Sequence, residues 1–270
     1  MTSDLDLLAD ALLALERKSL VVVTGAGISL ASGIPTFRGQ DEHAVWKRDV
    51  TELGTFRYFQ EDPAGSWRWY LDRFDLVFRA HPNPAHHALV ALDAWHRARG
   101  GSFLLVTQNI DTLHEQAGMR DHVKVHGSAD RVRCPLVGCQ NGSPRGSLLR
   151  VEADLSAFRR DPTPVNLPRC PTCGSILRQH VLWFDESYDS HDDYQWDRVC
   201  GAAEQGDLFL FVGTSFSVGV TEFLVQSALA RHRPVFSVDP HALPPTSRIV
   251  GLRTPAEILL PQLAQRLSGG

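Results

Sequence analysis

The sequence predicts an α/β protein with a doubly wound parallel sheet, and three observations carry that prediction. Four short apolar runs, Leu20–Val23, Phe103–Val106, Leu208–Val212 and Val235–Val238, lack the in-out alternation of a half-exposed sheet and so read as strands buried on both faces. Helical patterns lie between them. Glycine-bearing turns follow the first and third runs, at Gly25 and Gly213, as at strand-to-helix crossings.

Taken in order, residues 5–16 place leucines and alanines at helical spacing and lead through Lys18-Ser19 into the first strand. Residues 85–99 form the clearest amphipathic helix, with Ala88, Leu89, Ala91, Leu92 and Trp95 on one face and Gly100-Gly101 ending it. Thr221–Arg231 forms another. Two stretches break the rhythm. Residues 39–80 are rich in charge and aromatics, and residues 128–177 hold four paired cysteines with Gly142, Pro144 and Pro162 between the pairs. The sheet domain is therefore assigned to 1–38, 81–127 and 178–270, with 39–80 and 128–177 as insertions.

Composition excludes several classes. With 270 residues, 43% of them hydrophobic, the chain is long enough to bury a substantial core. The 27 Lys and Arg against 31 Asp and Glu give a net charge of -4, without the basic excess that drives nucleic-acid binding. No apolar run reaches the ~20 residues of a membrane span, and Asp4, Asp6 and Asp10 stand where a signal peptide is basic. The expectation is a cytoplasmic protein with neither nucleic-acid nor membrane partners.

After the first strand comes Thr24-Gly25-Ala26-Gly27-Ile28-Ser29, a turn whose glycines let backbone N–H groups approach a pyrophosphate. The fingerprint is incomplete. Leu30 replaces the third glycine of a Rossmann-like dinucleotide turn, and no acidic ribose ligand follows at the usual distance. Asp239, closing the last buried run, is placed for that role, or else is a solvated turn residue before Pro240.

Cys134-x4-Cys139 and Cys170-x2-Cys173 have the form of two turns presenting thiolates to one tetrahedral ion. In a reducing compartment zinc is favoured over disulfides, and four thiolates leave no open position, so the ion is structural. Cys200 reads as an ordinary partly buried thiol.

The segments GAGISLASGIPTFRG (25–39), TQNIDTLHEQAG (107–118), VHGS (125–128), the cysteine pairs, VLWFDE (181–186) and GTSFSV (213–218) occur in this order. The series resembles the sirtuins, NAD-dependent protein lysine deacylases, from about residue 20 to residue 265. That resemblance implies NAD and Zn2+ as cofactors and acylated lysine side chains of proteins as partners. It implies a pyrophosphate site on Gly25, Ala26, Gly27, Ser29, Gly213, Thr214 and Ser215, with Arg38 over the ribose and Asp239 on the adenosine ribose. The nicotinamide pocket would be lined by Ile34, Asn109, Ile110 and Asp111, with Gln108 on the ribose and Asn109 holding a water. In the family's reaction the acyl oxygen attacks C1′ as nicotinamide leaves, and the resulting alkylimidate is opened by water. His126 would be the general base that activates a ribose hydroxyl.

Val181, Trp183, Phe184 and Asp185 would receive the substrate backbone, with Asp185 where the family usually carries Gly. An extra carboxylate there would repel acidic acyl chains or recruit a basic peptide. Gln179 stands in place of a usual proline and Asp239 in place of a usual Asn. Tyr70 and Arg73, three apart on a helix, are similar to the Tyr-x-x-Arg of sirtuins that remove succinyl and malonyl groups, and would grip a terminal carboxylate. The alternative is an ordinary buried stripe of Trp67, Tyr70, Phe74 and Val77 with Arg73 exposed. Two other functions use the same pocket: transfer of ADP-ribose to protein or water, and non-catalytic NAD sensing.

Overall fold

The computed structural model describes residues 3–36, 50–241 and 244–269. In chain order the elements are α1 (Asp4–Leu15), β1 (Ser19–Thr24), α2 (Val50–Leu53), α3 (Phe56–Glu61), α4 (Pro63–Arg79), α5 (Pro84–Ala98), β2 (Ser102–Thr107), α6 (Leu113–Ala117), β3 (His122–Lys124) and β4 (Gly127–Arg133). Then follow β5 (Leu148–Leu149), α7 (Ser156–Arg160), β6 (Arg178–Val181), α8 (Trp196–Gln205), β7 (Leu208–Val212), α9 (Gly219–Ala230), β8 (Val235–Val238), β9 (Val250–Leu252) and α10 (Ala256–Ser268).

Six strands in the order β3-β2-β1-β7-β8-β9 form a wholly parallel sheet. The strand order reverses between β1 and β7, the place where such sheets bind ligands. The apolar runs are continuous because both faces are covered. Leu20 and Val22 of β1 join the leucines of α1, α5 and α10 on one side, whereas Val21 and Val23 join Val199, Leu224 and Val225 of α8 and α9 on the other. Caps fix the helix ends: Ser3 accepts from the Asp6 N–H, and Asn83 from the Ala85 N–H, with Pro84 in the first turn of α5.

A second sheet, β5-β4-β6, is antiparallel. Its strand β6 begins at residue 178. β6 pairs with β4 and not with the main sheet, so the inserted module takes both ends of its sheet from segments that flank the cysteine loops. The short buried run Arg178–Val181 carries no signal of which sheet it joins. The core of this module is shared with the helical insertion: Phe59, Trp67, Tyr70 and Phe74 pack with Ala129, Val132, Phe158, Leu177 and Trp183. Among the described residues no helix is long and apolar enough to cross a membrane.

Candidate active site

The turns that follow β1 and β7 are locked to one another. The Gly25 N–H donates to the Val212 carbonyl at 3.0 Å and the Gly27 N–H to the Gly213 carbonyl at 2.8 Å. A Cβ on Gly27 would stand 2.7 Å from Gly213 Cα, and one on Gly213, whose φ is +61°, would stand 2.3 Å from Ile28 N. These glycines therefore serve first the close approach of the two turns, and two of the N–H groups expected to face a phosphate are spent on that joint. Thr214 is buried beside it, and Ser215 is exposed at the rim.

β2 ends next to the same joint. The Gln108 N–H donates to the Thr24 carbonyl at 2.9 Å, and the Gln108 side-chain amide reaches Thr214 Oγ1 at 3.3 Å. Asn109 Nδ2 donates to the Gly25 carbonyl and to Ser29 Oγ, both at 3.1 Å. Ser29 Oγ in turn donates to Asp111 Oδ2 at 2.9 Å, while Asp111 Oδ1 accepts the Leu113 N–H at 3.0 Å. Burial raises the Asp111 carboxyl above its ordinary range, opposed by those two bonds. Ile34 and Ile110 are half-buried, and Ile34 follows the left-handed Gly33 that ends the turn. Thus Gly25, Gly27, Ser29, Gln108, Asn109, Asp111, Gly213 and Thr214 form one connected group at the carboxyl edge of adjacent strands. Asp239 lies at the end of β8 on the same edge, with Oδ1 accepting the His241 N–H at 2.8 Å. Arg38 lies outside the described residues.

His126 occupies the link between β3 and β4, between the two sheets. Its Nδ1–H donates to the Gln108 carbonyl at 2.9 Å, which leaves the lone pair on Nε2. Burial pushes its pKa down to about 4 against the lift from that carbonyl, so the imidazole is neutral at neutral pH. Gly127, at φ +80°, must be glycine, because a Cβ would stand 2.2 Å from the His180 carbonyl oxygen.

The strand read as the substrate edge runs beside this base. Val181 is paired with Gly127, and the Leu182 N–H donates to the His126 carbonyl at 2.9 Å. Trp183 is buried, whereas Phe184 is exposed. Both oxygens of Asp185 are engaged: they accept the Phe56 and Arg57 N–H groups at 2.7 and 3.1 Å. A carboxylate at the start of α3 meets orphan N–H groups, so this residue secures α3. Sequence alone gave it only a role towards substrate. Glu186 is clasped by Arg133, Arg178 and the Trp183 N–H. Burial raises its carboxyl, but the Arg178 charge and these bonds outweigh that and hold it below the ordinary range.

Tyr70 is buried, and its hydroxyl accepts from Trp183 Nε1 at 2.7 Å. Phe56 stacks on the same indole and Phe59 packs tilted against it, at 6.0 and 5.4 Å between centroids. Arg73 is half-buried, donating to the Trp69 carbonyl at 2.7 Å with its guanidinium 4.2 Å above the Trp69 ring. Tyr70 thus joins the aromatic stripe and also touches the substrate-strand tryptophan.

The four paired cysteines converge. Their sulfurs lie within 4.8 Å of one another, with Cys134–Cys173, Cys139–Cys170 and Cys139–Cys173 separations of 3.5, 3.7 and 3.9 Å. A tetrahedron with zinc–sulfur arms of about 2.3 Å has edges of about 3.8 Å, so the donor set fits Zn2+. The Leu136 N–H and Asn141 Nδ2–H point at Cys134 and Cys170 sulfurs at 3.5 Å, as donors that favour thiolate.

Sequence reasoning missed Tyr188. Its hydroxyl lies 3.5 Å from His126 Nε2, with the two rings 5.9 Å apart and 21° from parallel. No spacing rule marks a tyrosine two residues beyond Glu186 as a partner of a distant histidine.

Residues 25–220 match the Sir2 family. The chain belongs to that family. It is 38% identical over 235 residues to the NAD-dependent protein deacylase of Thermus thermophilus, covering 86% of this chain and 83% of the relative. It is 35% identical over 250 residues to the NAD-dependent protein deacylase Sir2 of Mycolicibacterium smegmatis, covering 92% and 96%. Among solved structures it is similar to a Sir2 homologue in complex with NAD, with a TM-score of 0.78 at 33% identity over 97% of this chain and 93% of that one.

Proposed function

We propose that this Sir2 protein is an NAD-dependent protein lysine deacylase that yields free lysine, nicotinamide and acyl-ADP-ribose. The observation that carries the reading is the placement of His126, its Nδ1–H fixed by the Gln108 carbonyl, beside the segment Val181–Phe184 that continues β6. The family membership and the deacylase relatives support it.

When bound, NAD supplies an electrophilic ribose carbon and the nicotinamide leaving group. The chain's residues hold and exclude. Ala26, Ser29, Thr214 and Ser215 would hold the pyrophosphate on the turns that Gly25, Gly27 and Gly213 bring together, with Gln108 at the ribose and Asp239 at the adenosine end. Ile34, Asn109, Ile110 and Asp111 line the nicotinamide pocket, where the bonds from Asn109 to Gly25 and Ser29 hold its amide in one orientation. Neutral His126 would accept the ribose hydroxyl proton at Nε2. Cys134, Cys139, Cys170 and Cys173 hold the small sheet, and through β4 and β6 the substrate edge, in register with the base.

For acyl choice, the reading is that Tyr70 and Arg73 border the acyl end and favour succinyl and malonyl lysine, supported by the contact of Tyr70 with Trp183. Incubation of zinc-loaded protein with NAD and acetyl-, succinyl- and malonyl-lysine peptides, followed by mass spectrometry, tests both statements. Absence of lysine product from all three peptides sinks the deacylase. Equal rates on all three sink only the acyl preference.

A further inference from the structure

The structure gives each ring nitrogen of His126 a neighbour. Nδ1 faces the Gln108 carbonyl, which only accepts, so Nε2 is the acceptor nitrogen. The neighbour of Nε2 is Tyr188 Oη at 3.5 Å. That hydroxyl already accepts the Val220 N–H at 3.3 Å, so its own proton is free to turn towards Nε2. The phenol cannot slip sideways. It is stacked on Trp196 with centroids 4.5 Å apart and planes 13° from parallel, and Trp196 in turn rests against Phe223 of α9 at 5.4 Å.

We propose that Tyr188 is a positioning residue for the general base: its hydroxyl and its ring hold the imidazole in place with Nε2 as the accepting nitrogen. The proposal rests on the reading of His126 as the base. Its chain of donors runs one way, from Val220 N–H to Tyr188 Oη, from Tyr188 O–H to Nε2, and from Nδ1–H to the Gln108 carbonyl. At 3.5 Å the middle contact is long and weak, so a better-aligned hydroxyl can compete for Nε2 while Tyr188 stays in place. No charged side chain among the described residues contributes to the depressed His126 pKa, which comes from burial against the Gln108 carbonyl. Tyr188 is the titratable group packed on the ring, and burial raises its phenol, so it stays a neutral donor.

Two variants separate hydroxyl from ring. Tyr188→Phe removes a donor to neutral Nε2, so the His126 titration midpoint, read by NMR of the cofactor-free protein, moves up by about half a pH unit. The acid limb of the kcat/KM profile moves with it. Tyr188→Leu also removes the stacking surface and lowers kcat about tenfold, with the KM for NAD within about twofold. An unmoved or lowered midpoint in Tyr188→Phe, or wild-type kcat in Tyr188→Leu, overturns the proposal. His126→Ala is the control for the underlying reading. If it turns over normally, the base is misassigned; if it is inactive while both Tyr188 variants match wild type, only the role of Tyr188 fails.

Discussion

Asn109 Nδ2 lies 3.1 Å from Ser29 Oγ, and through that hydroxyl the end of β2 is tied to the turn after β1 and to Asp111. The bond joins two motifs 80 residues apart in the chain. Asn109→Ala leaves Ser29 with one fewer partner and the Gly25 carbonyl without its amide donor. We expect about 1–3 kcal/mol lost from folding stability and a much larger loss of nicotinamide release, read by chemical denaturation and by product formation. Normal nicotinamide release from a destabilised variant would assign Asn109 to structure alone.

Asp185→Gly restores the residue usual in the family and removes both acceptors from the start of α3. The expected cost is about 1 kcal/mol, seen as a lower denaturation midpoint. Because the carboxylate is spent on α3, the ratio of desuccinylation to deacetylation should hold. A marked rise in that ratio would show that the side chain reaches the acyl group after all.

Several buried histidines make the fold acid-sensitive. Burial pushes His86 and His180 down to about 4, and His86 Nδ1 must be unprotonated to accept the Asn83 N–H. With folded pKa values below the unfolded value near 6.5, protons bind the unfolded chain preferentially between about pH 6.5 and 4. Stability is therefore complete above that window and falls as the pH drops through it. Denaturation midpoints from pH 8 to 4 should show this slope, and His86→Gln, which keeps an acceptor at the third position of α5, should flatten it. An unchanged slope would assign the acid sensitivity to the other histidines.

Removal of the metal should act at a distance. Stripping zinc with a chelator, or Cys170→Ser, should release about one equivalent per chain and loosen β4 and β6. Limited proteolysis should then cut within 134–177 before the parallel sheet. Full turnover by zinc-free protein would sever the link between the module and the substrate edge.

Much of this architecture was legible in the sequence because its signals are local. The runs Leu20–Val23 and Leu208–Val212 announce two-sided burial, and the cysteine spacings announce a four-thiolate cluster, since each depends on neighbours within a few residues. What stayed hidden depends on contacts between distant segments. Residues 178–181 carry no local mark of their pairing with β4. Asp185 looked like a residue aimed at substrate until Phe56 and Arg57 were seen to claim it. Tyr188 had no local pattern at all. Nor do the glycine motifs reveal that Gly27 and Gly213 face each other, since either reads by itself as a phosphate turn.

That pairing has a consequence for anyone who would re-engineer this enzyme. Because the obstacle to a methyl group at position 27 or 213 is the opposing backbone, no enlarged or trimmed dinucleotide could relieve the collision. The two loops would have to be exchanged together, as one cassette, or not at all.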